Sequence, residues 1–277
     1  MPTLTPQQQS QFREDGYCIL PGVIDAETLA WLREECAYFH GYMDAFMDGQ
    51  GVKTYGITHR DRRYFISQRY RLSSRLPRFL FGALMADVCR DALGDEVNLF
   101  GEQWVLKGAD QGMKFSWHQD SGYLERDVPG TVHRPYLTCW CALDDVDESN
   151  GTVYVLPHGE GETRGRIFEH TEDPETNDLV GYDGDATGVP VVAPAGSIAL
   201  FTSFNFHRSG ANTTDRMRRV YLAQYIAERI VRPDGELCGM CVPFVRDGRI
   251  VYDPNDDTAE RHGPHHESPR AAKTSAK

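Results

Sequence analysis

Residues 115–123 read FSWHQDSGY and set an imidazole, His118, two positions before a carboxylate, Asp120. Side chains at i and i+2 of an extended strand leave the same face, so the two groups would stand side by side while Gln119 points away. H-x-D arises often by chance, and a buried histidine bonded to an aspartate is a common structural pair, so the chemistry turns on a third donor. His207 is the best candidate: it closes the apolar run LFTSFNF and opens the polar turn HRSGANTTDR. Two imidazoles and a carboxylate on one face of an octahedron leave three positions open, which suits non-haem Fe(II); the same donors on zinc would suit hydrolysis or isomerisation. Arg218, at the start of the next apolar segment, separates these options. A guanidinium returned to the cavity binds a carboxylate at two points, as a dicarboxylate cosubstrate requires, and has no evident task in the zinc chemistry.

The elements that must position these groups follow from periodicity. Thr5 precedes a polar amphipathic run and predicts a short capped helix ending near Gly16, followed by a strand in YCILPGVI. Behind Asp25, residues Leu29, Leu32, Cys36, Phe39 and Tyr42 or Met43 recur at helical spacing, and a second helix is expected over roughly 76 to 92. From about residue 97 the texture becomes short apolar segments punctuated by Gly, Pro, Asn and Asp: VNLFGEQWVLKG, RPYLTCWCALDD, GTVYVLP, VPVVAPAGSIALFTS, RRVYLAQYIAE, then LCGMCVPFV and RIVYD around an Asp-Gly turn. Many short strands without intervening helices describe an antiparallel sandwich or barrel, with the helical first third packed outside it. The expected organisation is one domain over 1–254, helical over 1–95 and β-barrel core with a C-terminal hairpin over 96–254. A disordered polar tail is expected over 255–277, including the histidines at 262, 265 and 266.

Composition sets limits. A chain of 277 residues with 40% hydrophobic residues can bury a sizeable single core. A formal net charge of −12 weakens any reading with nucleic acid as partner. No apolar run is long enough to span a bilayer and the start MPTLTPQQQSQF does not resemble a signal peptide, so a cytoplasmic protein is expected. The seven cysteines, at 18, 36, 89, 139, 141, 238 and 241, then read mostly as small core residues. Cys238 and Cys241 form a CxxC with no second pair at zinc-knuckle range.

The string WHQD, then LTCWCAL, NGTVYVLP and FHRSGANTTDRMRRVYLAQY, resembles the phytanoyl-CoA dioxygenase family of Fe(II)- and 2-oxoglutarate-dependent oxygenases over about residues 10 to 230. The resemblance implies a mainly β fold with flanking helices, a double-stranded β-helix (jelly roll, cupin-like barrel) with iron at its open end. It implies His118, Asp120 and His207 as iron ligands and Arg218 as the partner of the distal carboxylate of 2-oxoglutarate, with Ser209 bonding the same carboxylate. Thr138 and Trp140 fall on the strand that lines the cosubstrate pocket, and Gln103 and Lys107 share a strand face from which they would reach the C1 end of 2-oxoglutarate. Arg219 would point the other way from Arg218, though a register shift of one would exchange them. Family members that halogenate replace the carboxylate ligand with a small residue, so Asp120 points to hydroxylation or a related oxidation, with O2 consumed and succinate and CO2 released. The alternatives are a cupin-like protein that binds metal or ligand without turnover and a zinc isomerase or hydrolase on the same barrel.

The substrate expected is a small polar or anionic metabolite. The stretch THRDRRYFISQRYRLSSR carries basic residues at 59, 60, 62, 63, 69, 71 and 75; it reads either as a lid over the barrel mouth or as a solvated face with its aromatics in the core. Gln119, Ser121 and Tyr123 lie near the mouth by position, whereas Asp144, Asp145 and Asp147 read as surface turns. The long polar stretch from Glu160 to Gly188 is either a lid or binding element or disordered, and His158 and His170 have no partner at ligand spacing.

Overall fold

The computed structural model describes residues 3–257. The expected tail histidines lie outside the described residues. The N-terminal helix Pro6–Asp15 starts at Thr5, whose hydroxyl accepts from the Gln8 amide while the Gln8 side chain returns to the Thr5 backbone. It stops at Gly16, which takes φ 80°, a conformation that costs glycine little. A Cβ there would meet the Asn205 and His158 side chains at 2.3 Å, so the helix end is pressed directly onto the segment leading to His207.

The long helix Ala26–Gln50 is capped by Asp25 and buries Leu29, Leu32, Cys36, Phe39, Met43 and Met47; Met43 rather than Tyr42 continues the apolar face. The second expected helix is two, Leu76–Leu80 and Ala83–Leu93, broken at Phe81 and Gly82. A Cβ at Gly82 would lie 2.4 Å from the Arg78 carbonyl, so the chain bends where no side chain fits.

The strands form two main antiparallel sheets. In the larger, the neighbours run Tyr17–Leu20, Ile198–Thr202, Leu137–Ala142, Arg218–Ile226, Val97–Lys107 and Arg63–Ser67, continued by two short strands at 54–59. The smaller runs Val189–Pro190, Val153–Val155, His207–Ser209 and Phe115–His118. Neighbours distant in sequence mark crossovers between sheets, the connectivity of a jelly roll.

Strand alternation separates two cores. Outward-facing Trp104, Leu106, Cys139, Cys141, Tyr221 and Ala223 pack under the helices. Inward-facing Val105, Trp140, Ala142, Phe201, Val220 and Leu222 meet Val153 and Val155 inside the barrel. All seven cysteines are free and buried. Among the described residues, no helix is long and apolar enough to cross a membrane.

One buried acid interrupts the helix-covered layer. Glu102, 3% exposed, accepts from the Arg69 and Tyr70 amides and lies beside the Tyr221 hydroxyl. Burial dominates and lifts its carboxyl from the ordinary 4.5 to about 7, against the lowering influence of those donors. An acid raised in the folded state favours folding fully below its unfolded value, and that contribution fades as pH climbs through the folded value. Stability should therefore fall between pH 4.5 and about 7. Glu102→Gln should flatten this slope, gaining about 3 kcal/mol near neutral pH and little near pH 4. Urea unfolding across that range checks it; parallel profiles for both proteins would refute it.

Candidate metal centre and cosubstrate pocket

The two sheets meet at the site, and each supplies a different part. His207 and His118 are directly opposed residues on adjacent strands of the smaller sheet, their rings 4.1 Å apart. Asp120 reaches them differently from the strand expectation. His118 is the last residue of its strand, Gln119 is the extended N-cap, and Asp120 is the first residue of the helix Asp120–Asp127. A turn from strand into helix, not strand alternation, swings the carboxylate to the histidines. Asp120 Oδ1 lies 3.7 Å from His118 Nε2 and 3.4 Å from His207 Nε2, and one ligand atom from each residue falls within 4.8 Å of the others.

The surroundings orient all three. His118 Nδ1 donates to the Ser116 carbonyl at 2.8 Å and His207 Nδ1 to the Asn205 carbonyl at 3.2 Å, which directs both Nε2 lone pairs inward. Burial and the neighbouring His207 push His118 well below its ordinary value, so it is neutral and able to ligate. Burial opposes charge on Asp120, but His207, His118 and the Thr138 hydroxyl outweigh it and hold the carboxyl at about 2. The larger sheet secures the other carboxylate oxygen: Oδ2 accepts from Thr138 Oγ1 at 2.7 Å and from Gln224 Nε2 at 3.0 Å. Thr138, expected in the cosubstrate pocket, anchors this carboxylate. Gln224 was not anticipated, although its place three alternate positions after Arg218, beyond inward-facing Val220 and Leu222, marks it as an inward polar residue.

Arg218 points into the barrel and is 1% exposed. Its guanidinium donates to the Val105 carbonyl at 3.2 Å and the Gly151 carbonyl at 3.0 Å and lies 5.4 Å from the Trp140 ring centre. Among the described residues its Nε has no partner, and burial lowers the group to about 9. Arg219 faces outward and pairs with Asp144. Lys107 is the register partner of both Arg218 and Arg63, and its ammonium donates to the Gly210 carbonyl. Lys107, expected to reach the C1 end of the cosubstrate, therefore lies beside Arg218. Burial, then Arg218, push it well below its ordinary value. Of this row of three buried cations only Arg63 has a carboxylate among the described residues, Asp178. Ser209 follows His207 on the same face, next to Gly210.

A cavity of about 430 Å³ opens beside His118 and Asp120, lined by Phe46, Tyr55, Thr58, Phe65, Ser67, Gln103, Phe115, Tyr123 and Gln224 among others. A second, of about 460 Å³, shares Gln103, Asp120, Tyr123 and Gln224 and extends past Phe100 and Leu124 to residues 237–240. Gln103 therefore faces the cavity, with Ser67 donating to it at 3.3 Å. Of the three residues placed near the mouth, only Tyr123 lines the cavity. Gln119 and Ser121 are fully buried, Ser121 against Ser203.

Part of the basic stretch is ion-paired away from the cavity and part of it lines the cavity. Arg60 pairs with Asp44 and Asp48, Arg75 with Glu34 and Glu35, and Arg71 with Asp257, inside the expected tail. Thr58, Phe65, Ser67, Gln68 and Arg69 line the cavity. Asp145 and Asp147 are exposed turn residues, Asp147 accepting from the Ser149 and Asn150 amides and Asp145 from that of Ala195, whereas Asp144 is half-buried and pairs with Arg219 and Arg33. The stretch from Glu160 to Gly188 is ordered and includes the paired strands Thr171–Glu172 and Leu179–Val180.

A jelly roll that brings two histidines and a carboxylate together before a buried, unneutralised arginine defines the non-haem iron oxygenase class of site. The chain belongs to the phytanoyl-CoA dioxygenase (PhyH) family, whose model matches residues 12–220. It is 25% identical to phytanoyl-CoA dioxygenase domain-containing protein 1 of Danio rerio, covering 80% of this chain and 89% of that protein. It is also 25% identical to the ectoine dioxygenase of Sphingopyxis alaskensis, covering 84% and 79%. Among solved structures it resembles EctD from S. alaskensis with 2-oxoglutarate and 5-hydroxyectoine, at TM-score 0.65 and 22% identity over 84% of this chain and 80% of that one. The α-ketoglutarate-dependent carbocyclase SnoK from nogalamycin biosynthesis gives TM-score 0.64 and 18% identity over 85% and 90%.

Proposed function

We propose that this protein is an Fe(II)- and 2-oxoglutarate-dependent dioxygenase that hydroxylates, or otherwise oxidises, a small-molecule substrate. The observation that carries the reading is the joint presence of the converged His118, Asp120 and His207 donors and the buried Arg218 and Lys107, which have no carboxylate partner among the described residues. The donor set fits Fe(II), and the two cations fit the distal carboxylate of 2-oxoglutarate. With these bound, the centre couples oxidative decarboxylation of 2-oxoglutarate to substrate oxidation: one oxygen atom of O2 enters succinate, CO2 leaves, and in hydroxylation the other atom enters a substrate C–H bond.

The chain's own residues hold and shield. His118 Nε2, His207 Nε2 and Asp120 Oδ1 would hold the cation while Thr138 and Gln224 keep the carboxylate turned toward it. Arg218, assisted by Lys107 and with Ser209 alongside, would fix the distal end of the cosubstrate, with Trp140 as wall. Phe65 and Phe115 keep water from the reacting end, and Gln103 faces the substrate. The free, buried cysteines fit a reducing compartment, and we place the protein in the cytoplasm. Zinc hydrolysis would leave the two buried cations without a purpose, and a binding protein would not need O2.

The test is anaerobic purification, elemental analysis, and succinate release from 2-oxoglutarate on adding Fe(II) and O2. One iron per chain and iron-dependent succinate formation are expected. Tight 2-oxoglutarate binding without oxygen consumption would favour the binding protein, and stoichiometric zinc with no iron response would favour the hydrolase.

A further inference from the structure

Outside the converged triad, one titratable side chain grips the turn that carries two of its members. His170, in the excursion between residues 160 and 188, accepts the backbone N–H of Gln119 at Nε2, 2.9 Å away. Its Nδ1 donates to the Phe168 carbonyl at 2.8 Å, which leaves Nε2 as the acceptor. Gln119 lies between His118 and Asp120, so this bond fixes the peptide that sets their separation. The ring is held from both sides by glycines. A Cβ at Gly122 would stand 2.3 Å from His170 Cε1, and one at Gly181 would stand 2.3 Å from Nε2.

The same excursion grips the turn elsewhere. The Gln119 side chain donates to the Arg166 and Phe204 carbonyls and accepts from the Phe168 amide. The Gly181 amide donates to the Trp117 carbonyl at 2.9 Å. We infer that His170 is a positioning residue for the metal centre, holding the turn from His118 to Asp120 in ligating geometry through the Gln119 amide. The excursion is thus part of the iron site. This inference rests on the iron reading above.

The experiment is anaerobic Fe(II) titration of the full chain, read as a dissociation constant, beside thermal melting of the metal-free protein. His170→Leu keeps bulk and loses the acceptor. His170→Gln can place an oxygen near the position of Nε2. Gly181→Ala displaces the ring while its own N–H can still donate to the Trp117 carbonyl. Removing a group that orients metal ligands weakens metal binding by about 10- to 100-fold. That loss is expected for His170→Leu and Gly181→Ala, with His170→Gln within about fivefold of the parent.

Iron affinities within about twofold of the parent in all three would overturn the proposal. Equal loss in the Leu and Gln variants with none in Gly181→Ala would also overturn it, since ring bulk rather than the acceptor would then matter. Should His170→Leu fail to fold, the Gly181→Ala and His170→Gln pair decides by the same criteria. Failure of the parent protein itself to bind iron would instead sink the functional reading.

Discussion

Asp120→Ala should reduce iron-dependent succinate release by about a thousandfold or more, equivalent to about 4 kcal/mol of barrier. The variant removes the one anionic donor of the triad, and with it the Oδ2 contacts of Thr138 and Gln224. Two imidazoles hold a hard divalent cation poorly without the carboxylate, so iron stoichiometry should fall in parallel. Circular dichroism should be unchanged, because Asp120 serves the site rather than either core. A variant that lacks iron and still forms succinate at the parental rate would remove the basis for assigning the metal to these residues.

Arg218→Met should lower cosubstrate affinity while raising the stability of the ligand-free protein. The Michaelis constant for 2-oxoglutarate should rise about 100-fold or more, because truncating one side of a buried charge pair costs several kcal/mol. The ligand-free protein should become more stable, by about 1–4 kcal/mol, because a buried guanidinium without a carboxylate partner is replaced by an apolar side chain of similar length. Arg218→Lys should not restore affinity, since a point charge does not reproduce the two-point fork. Chemical denaturation with and without 2-oxoglutarate separates the effects: the ligand should stabilise the parent and leave the Met variant unmoved. A parallel loss of stability and affinity would show Arg218 to be a structural residue.

The converging donors were legible because few side chains can hold a metal and because their chemistry restricts the partners they need. Arg218 was legible because strand parity separates it from Arg219, and the register bears out that parity. What the sequence did not reveal depends on which strands become neighbours. Thr138 and Gln224 meet Asp120 across 18 and 104 residues, and Lys107 lies beside Arg218 only because their strands pair in one register. His170 reaches Gln119 across 51 residues, through a loop whose path no periodicity encodes. The basic stretch left a charged lid and a solvated face both open because the acids that pair with Arg60 and Arg75, namely Glu34, Glu35, Asp44 and Asp48, sit on a helix distant in sequence. The helices and the antiparallel barrel were readable because they follow from local alternation of apolar and polar residues.

The cavity wall contributed by residues 55–69 and 237–240 supplies none of the three converged donors and neither of the unneutralised cations. The two pieces of wall differ in how they are tied in: the strand Arg63–Ser67 belongs to the large sheet and carries the buried Arg63–Asp178 pair, whereas residues 237–240 border the cavity from outside that strand. Exchange of the 237–240 segment would therefore reshape the cavity while leaving the cation row and the converged donors in place.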